Sequence, residues 1–166
     1  DDIILKRMRR RHLYRDVINF VKEAKRRRSD IVFGGDFIAG FPTEDEKAHQ
    51  NSIQLIKEAD ITYIHVFPYS NRKNTPASNM PQVPKKVIQK RGKELRDLAK
   101  GQHNKFLLTQ IGTTQKVLIE NNSVGHATNF SKIKLKENVE ASTIVSTKIL
   151  EIDPEGLLGT IGNWNR

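Results

Sequence analysis

The sequence predicts an α/β segment followed by a small all-β barrel, and three observations predict it. Between residues 13 and 67 the apolar positions switch between helical and strand-like spacing. A long basic stretch with helical periodicity follows, from residue 85 to residue 105. Beyond about residue 109 the texture changes to short strand-like segments separated by turn residues, the pattern of a small barrel in roughly 55 residues.

Leu13, Val17, Phe20, Val21 and Ala24 recur at helical spacing, and Glu23 precedes Arg27 by one turn in the favourable orientation. Leu13 to Arg27 is therefore predicted as an amphipathic helix with that stripe on a core. Ile31-Val32-Phe33 and Asp36-Phe37-Ile38-Ala39 form a strand broken by Gly34 and Gly35 and ended by the turn signal Gly40-Phe41-Pro42. Thr43 with Glu46 reads as a capping box, opening a helix at Glu44 that carries Ala48, Ser52, Leu55, Ile56 and Ala59 on one face. Ile61 to Phe67, rich in β-branched and aromatic residues, is a second strand, in which His65 is expected to be packed or hydrogen-bonded. Such αβαβ alternation implies parallel strands joined by a crossover helix, in an open sheet or part of a barrel. Pro84 stands where a first helical residue would, and Val87, Ile88, Arg91, Leu95, Leu98, Ala99 and Phe106 line one side of the basic helix. Gln115 to Glu120, His126 to Leu135, Thr143 to Ile152 and Leu157 to Ile161 are the predicted strands of the barrel, for which the oligonucleotide-binding type is the best-known precedent.

The 166 residues carry 29 Lys+Arg against 19 Asp+Glu, a formal charge of +10. The excess is local: about +7 over residues 1–28, about −4 over 36–68, about +6 over 85–105 and about zero from 106 onward. The cluster Arg7 to His12, the run Lys25 to Arg28 and the stretch Lys85 to Lys105 are candidate polyanion contacts, and equally plain solvated helix faces. No apolar run approaches the roughly 18 residues of a membrane span, and the opening DDIILKRMRRRH lacks the features of a secretory signal, so the expected location is cytoplasmic and no membrane partner is expected. With no cysteine, the chain has no disulfide, thiolate nucleophile, Cys-type zinc site or cysteine-held iron–sulfur cluster of its own. The five histidines show no ligand spacing, and Ser70 and Ser78 have no recognisable base. Asp36 and Gly40 fall at the C-terminal edge of a parallel strand, where ligands bind in α/β folds, although the same spacing serves a strand-to-helix turn with no ligand.

The strings LKRMRRRH, GGDFIAGFPTEDE, HVFPYSNRKNTPASNMPQVP and GHATNFSKIKL resemble, in order, motifs of the radical S-adenosylmethionine tRNA methylthiotransferases, and most closely the branch acting on N6-threonylcarbamoyladenosine at position 37 of tRNA. The resemblance implies that residues 1–105 are the C-terminal portion of a radical-SAM partial barrel and 106–166 a TRAM domain, an all-β barrel similar to the oligonucleotide-binding type. It also implies that the cysteines holding the family's iron–sulfur clusters lie in parts this sequence does not contain. Arg10 matches the arginine of the family's LKxMxRRH string. Asp36, Ile38, Gly40 and Glu44 match its version of the strand motif GxIxGxxE, with Asp36 in place of the first glycine. With Phe67 and Ser70 at the next strand end, they would line the S-adenosylmethionine pocket, and Arg72 and Thr75 lie in the loop beyond. Asn74 stands where the family usually has glycine, and Glu140-Ala141-Ser142 replaces a glycine-containing turn.

The resemblance implies a C-terminal fragment of a methylthiotransferase, expected to be inactive alone and to hold neither S-adenosylmethionine nor a cluster by itself. Its expected partners are tRNA, through the anticodon stem-loop, and a complementary N-terminal fragment. The alternatives are a stand-alone TRAM-type RNA-binding module and a decayed fragment without function. In the run Phe130 to Lys136, alternation puts Lys132, Lys134 and Lys136 on one strand face and Ile133 and Leu135 on the other, so the lysines, with Phe130 as a stacking surface, are the candidate RNA contacts.

Overall fold

Two parallel strands and the helix that links them organise the first part of the chain. The computed structural model describes residues 1–162 and divides into two compact units, Asp1–His103 and a second that begins at Asn104. The first unit opens with a helix not foreseen from the sequence, α1 (Asp2–Arg7), whose first N–H groups at Ile3 and Ile4 are capped by the Asp1 carboxylate at 3.0 Å. Next comes α2 (Tyr14–Arg27), with the expected limits but a rotated stripe. Ile18 and Val21 are buried, with Tyr14 and Val17 packed beside them, whereas Leu13 and Phe20 are exposed; Phe20 stands edge-to-face with Phe33, with ring centres 6.0 Å apart.

Strand β1 (Gly34–Ala39) begins later than expected and contains both glycines instead of being broken by them. It leads to α3 (Glu46–Glu58), then to β2 (Tyr63–Pro68), which pairs in parallel with β1 in the register Asp36 to His65 and Ile38 to Phe67. The expected capping box is not formed. Asp45 caps α3 by accepting from the Ala48 N–H at 2.7 Å, while Thr43 sits in the preceding turn at φ +69°. One face of the sheet is covered: Ala39, Ile56 and Leu95 are buried there with Phe37, Ile64 and Val66 against them. A short 3-10 turn at Pro76–Asn79 and the long helix α4 (Lys85–Gln110) complete this part of the chain. Asn74, which stands where the family usually has glycine, takes a left-handed φ of +64°.

The second unit takes in the last turns of α4 and a closed barrel of β3 (Thr114–Asn121), β4 (Val124–Ala127), β5 (Lys132–Leu135), β6 (Ile144–Asp153) and β7 (Gly156–Ile161), in the order β3-β4-β5-β7-β6. The expected strand from His126 to Leu135 is two strands, because the chain turns at Phe130, whose N–H bonds the Ala127 carbonyl at 2.9 Å and whose φ is +64°. Strand parity does the rest: Val117, Ile119, Ala127, Ile133, Leu135, Ile149 and Leu157 point inward and are buried with Leu107. Gly125 is required by the closeness of β4 and β3, since a Cβ there would lie 1.9 Å from the Leu118 carbonyl oxygen. Ser142 takes the left-handed position, φ +65°, in the turn where glycine is missing.

Closure pairs every barrel strand on both sides, whereas β1 and β2 pair only with each other among the described residues. Hydrogen exchange of the full chain should therefore find the β1 and β2 amides opening at least about tenfold more readily than those of β3, β6 and β7. Equal protection in the two sheets is the outcome that contradicts this expectation.

Candidate functional site

The C-terminal end of β1 is joined to α3 by a turn whose chemistry is fixed by one carboxylate. After Ala39 the backbone turns through Gly40, at φ +75°, where a Cβ would lie 2.5 Å from the Ile88 side chain, so only glycine fits. A second turn closes with the Glu44 N–H on the Phe41 carbonyl at 2.9 Å. The Glu44 side chain folds back, and its Oε1 accepts from the Gly40 N–H at 3.0 Å. That same oxygen accepts from Arg91 Nη1 at 3.0 Å, and Arg91 Nη1 also donates to the Glu44 carbonyl at 2.8 Å. Both side chains are buried. Burial raises the Glu44 carboxyl above its ordinary value, with the Gly40 N–H and the Arg91 charge acting in the opposite direction. Alongside, the buried His49 ring meets Glu94 through Nε2 at 2.7 Å. Residues from α3 and α4 thus hold the strand-end turn in place.

The face of the sheet opposite the helices is open. Asp36 and His65 are exposed register partners on it, and one step further along, Ile38 and Phe67 form an apolar pair, 37% and 52% exposed. His65 is therefore not the packed histidine expected from the apolar run. Its parity with Phe67, opposite to that of Ile64 and Val66, is the signal that marks it as facing this side. Beside β1 lies a cleft of about 400 Å³, lined by Ile4 and Leu5 of α1, by Met8 and Arg10 after it, by Gly34 to Ile38 of β1, by Val17 of α2 and Leu55 of α3 among others, and by Glu44. Consecutive β1 residues line it, so the cleft runs along the strand's free edge. Of the expected pocket residues, Arg10, Asp36, Ile38 and Glu44 meet there. Gly40 is buried in the turn, Phe67 faces the open side from β2, and Ser70 is exposed beyond the strand end. Glu44 reaches this site already committed to Gly40 and Arg91, and the N-terminal end of α3 is covered by its own Asp45 cap.

On the barrel, Ile133 and Leu135 are buried and Lys134 and Lys136 exposed, as the alternation requires, with Lys136 just past the end of β5. Lys132 donates to Glu155 in the β6–β7 turn at 2.6 Å, a contact that no local pattern announces. Phe130 is exposed. Among the described residues, no group of three or more His, Cys, Asp or Glu is arranged to hold a metal ion, and no helix is long and apolar enough to cross a membrane.

Removing one member of a buried ion pair strands the other in a low-dielectric interior. Arg91→Ala should therefore cost about 3–5 kcal/mol in urea unfolding of the first unit. The double replacement Arg91→Met with Glu44→Gln should recover most of that loss. A single replacement costing under about 1 kcal/mol would show that the pair does not hold the turn.

Comparison with known proteins now bears on the site. No family model matches the chain. A threonylcarbamoyladenosine tRNA methylthiotransferase of Rickettsia prowazekii (strain Madrid E) is 43% identical over 153 residues, covering 92% of this chain and 36% of its own length. A probable threonylcarbamoyladenosine tRNA methylthiotransferase of Methanocaldococcus jannaschii is 33% identical, covering 97% of this chain and 38% of its own length. A tRNA-2-methylthio-N(6)-dimethylallyladenosine synthase of Ehrlichia ruminantium (strain Welgevonden) is 32% identical, covering 96% and 38%. The chain thus spans under two-fifths of the length of these relatives and matches their C-terminal part. With such identity over nearly all of its length, and with an α/β part followed by a small closed barrel, the chain belongs to the tRNA methylthiotransferase family.

Proposed function

We propose that this chain provides the C-terminal share of a tRNA methylthiotransferase, with one side of a cofactor cleft in its first unit and a tRNA-binding TRAM barrel in its second. The proposed parent reaction is methylthiolation of N6-threonylcarbamoyladenosine at position 37 of tRNA in the cytoplasm. The observation that carries the reading is the open face of β1 and β2 at the strand ends, in a chain similar over 92% of its length to an enzyme of that name.

The residues present fit the two implied cofactors differently. A cluster needs thiolate ligands, and the chain has no cysteine and, among the described residues, no alternative ligand group. No step is assigned through a cluster on this chain. S-adenosylmethionine is another matter: a cleft of about 400 Å³ lies within the usual range for small-molecule sites and offers apolar surface beside Arg10 and Asp36. When bound, S-adenosylmethionine supplies the methyl group that the product carries. Ile38 would present apolar surface to its flat base, with Phe67 beside it on the open face, and Arg10 and Asp36 would provide charge for its polar groups. Glu44 and Arg91 act as positioning residues, holding the Gly40 turn against which such a ligand would lie. A complementary N-terminal fragment of the family would supply the other side of this cleft, beyond the edge of β1 along which it runs.

A second reading, a stand-alone RNA-binding module, is favoured by the barrel's closure without help from the first unit. Anaerobic reconstitution with iron and sulfide separates the two. The chain alone should take up no stoichiometric cluster and release no 5′-deoxyadenosine. Addition of a separately expressed N-terminal part of a relative should restore S-adenosylmethionine turnover if the first reading holds, and leave it absent if only the RNA-binding reading does.

The RNA side of the proposal is measured by salt. Binding of tRNA should weaken steeply as salt rises, and replacing Lys132, Lys134 and Lys136 by Ala should reduce the salt slope by roughly two to three units, nearer two because Lys132 already has Glu155 as its counterion. If the slope stays unchanged while neutralising the exposed Lys90 and Lys93 abolishes binding, the contact belongs to α4; Arg91, which the sequence placed beside them, is buried against Glu44 and is left in place.

A further inference from the structure

Outward-facing residues of the barrel assemble a surface that neither its core nor the lysine stripe explains. In the antiparallel register, Ile144 of β6 stands opposite Leu118 of β3, Leu118 opposite His126 of β4, and His126 opposite Lys132 of β5. These four residues therefore form one row across four adjacent strands, about 14 Å wide at the usual strand spacing of ~4.8 Å. Leu118 is 46% exposed and Ile144 is 67% exposed, and neither belongs to the buried core, which is filled from the other face of the same strands by Val117 and Ile119. A solitary exposed aliphatic residue is ordinary, but two directly opposed on neighbouring strands form a patch. The His126 ring continues it, oriented through Nδ1 by Glu120 at 3.0 Å. At the end of β4 the turn holds Phe130, 76% exposed, at a positive φ that a bulky aromatic residue rarely adopts.

We propose that this row is a docking surface for the unpaired bases of single-stranded RNA. Leu118, Ile144, His126 and Phe130 supply the faces on which bases lie, and Lys132 and Lys134 follow the phosphates at the border. The inference rests on the reading that the barrel binds tRNA, and it deepens that reading by separating base contact from phosphate contact. Charge complementarity selects the occupant. Lys116 lies two residues before Leu118 on the same face of β3, and Lys134 two residues after Lys132 on β5, so ammonium groups border the apolar row on two sides, against the carboxylates of Glu120 and Glu155. Apolar and ring surface between cationic borders is how sequence-tolerant single-strand binders divide the work. A few such side chains are far short of the roughly 1,200 Å² that a stable protein interface buries.

The test is binding of the full chain to a labelled anticodon stem-loop RNA across a range of salt concentrations. Leu118→Ser with Ile144→Ser should weaken binding about tenfold at every salt concentration and leave the salt slope unchanged, the opposite signature to loss of a lysine. Replacing the unpaired loop nucleotides by abasic ones should weaken the unaltered protein by a similar factor, and should have little further effect on the double variant, because the two changes remove the same contact. Phe130→Asn, which suits the positive φ, should reproduce part of the loss without straining the turn. Unaltered affinity in the double variant, or full additivity with the abasic RNA, overturns the inference while tRNA binding stands. If the unaltered chain binds neither RNA, the tRNA reading fails first and the row falls with it. A drop in the chain's solution mass on making the double variant would also overturn it, because the surface would then be an interface between copies.

Discussion

A backbone N–H or C=O taken out of water without a partner costs more than most side-chain contacts return, and the two units of this chain meet that constraint in different ways. In the barrel, five short strands close on themselves, so each ladder has a neighbour and the interior is filled mainly by apolar residues such as Ile133, Ile149 and Leu157, with Thr147 and Ser131 buried among them. In the first unit, two strands pair only with each other among the described residues, and helices cover one face. The same economy of pairing that makes the barrel self-sufficient leaves the β1–β2 sheet with an open face and free edges. Those are the surfaces at which its candidate site lies.

The open face needs support from behind, and it comes from charge as well as from apolar packing. Leu95 of α4 packs behind the sheet, while Arg91, one turn earlier, reaches the turn after β1. A neutral or flexible contact would let the Gly40 turn relax. A buried guanidinium shared between the Glu44 carbonyl and carboxylate leaves it few alternatives, because any displacement exposes an unpaired charge to a low-dielectric interior. The cost of burying that pair is met locally by the Gly40 N–H, so the turn and the ion pair stabilise each other.

What could be read from the sequence follows from how far each signal reaches along the chain. Alternation within β5 separates Lys132 and Lys134 from Ile133 and Leu135 correctly, because strand parity is a property of adjacent residues. Helical periodicity finds α2 but turns its stripe wrongly, since Phe20 is as apolar as Ile18 and only tertiary packing decides which is covered. Thr43 and Asp45 are both competent caps. The choice falls to Asp45 because the turn preceding it consumes Thr43. The buried pair illustrates the limit best: Arg91 was legible as a member of the core-facing stripe, but its partner lies 47 positions away, beyond any local pattern. His65 was misjudged for a related reason, because a strand read as one apolar run conceals which parity is left uncovered. The row across β6, β3, β4 and β5 exists only once register is known.

One feature of the barrel bears on how the chain is made. All its neighbouring strands run antiparallel except β5 and β7, which pair in parallel although β6 lies between them in sequence. The β3–β4–β5 meander and the β6–β7 hairpin can each form from nearby residues. Neither buries its apolar side until the seam between β5 and β7 and the one between β3 and β6 both form. During synthesis the barrel must therefore wait for Leu157 to Gly159, the residues that meet Ile133 to Leu135, before its interior closes. Until they emerge from the ribosome, the lysine-bearing strand is an unpaired edge with a greasy underside, so the exposure of this barrel to chaperones and to misassembly lasts until β7 has been made.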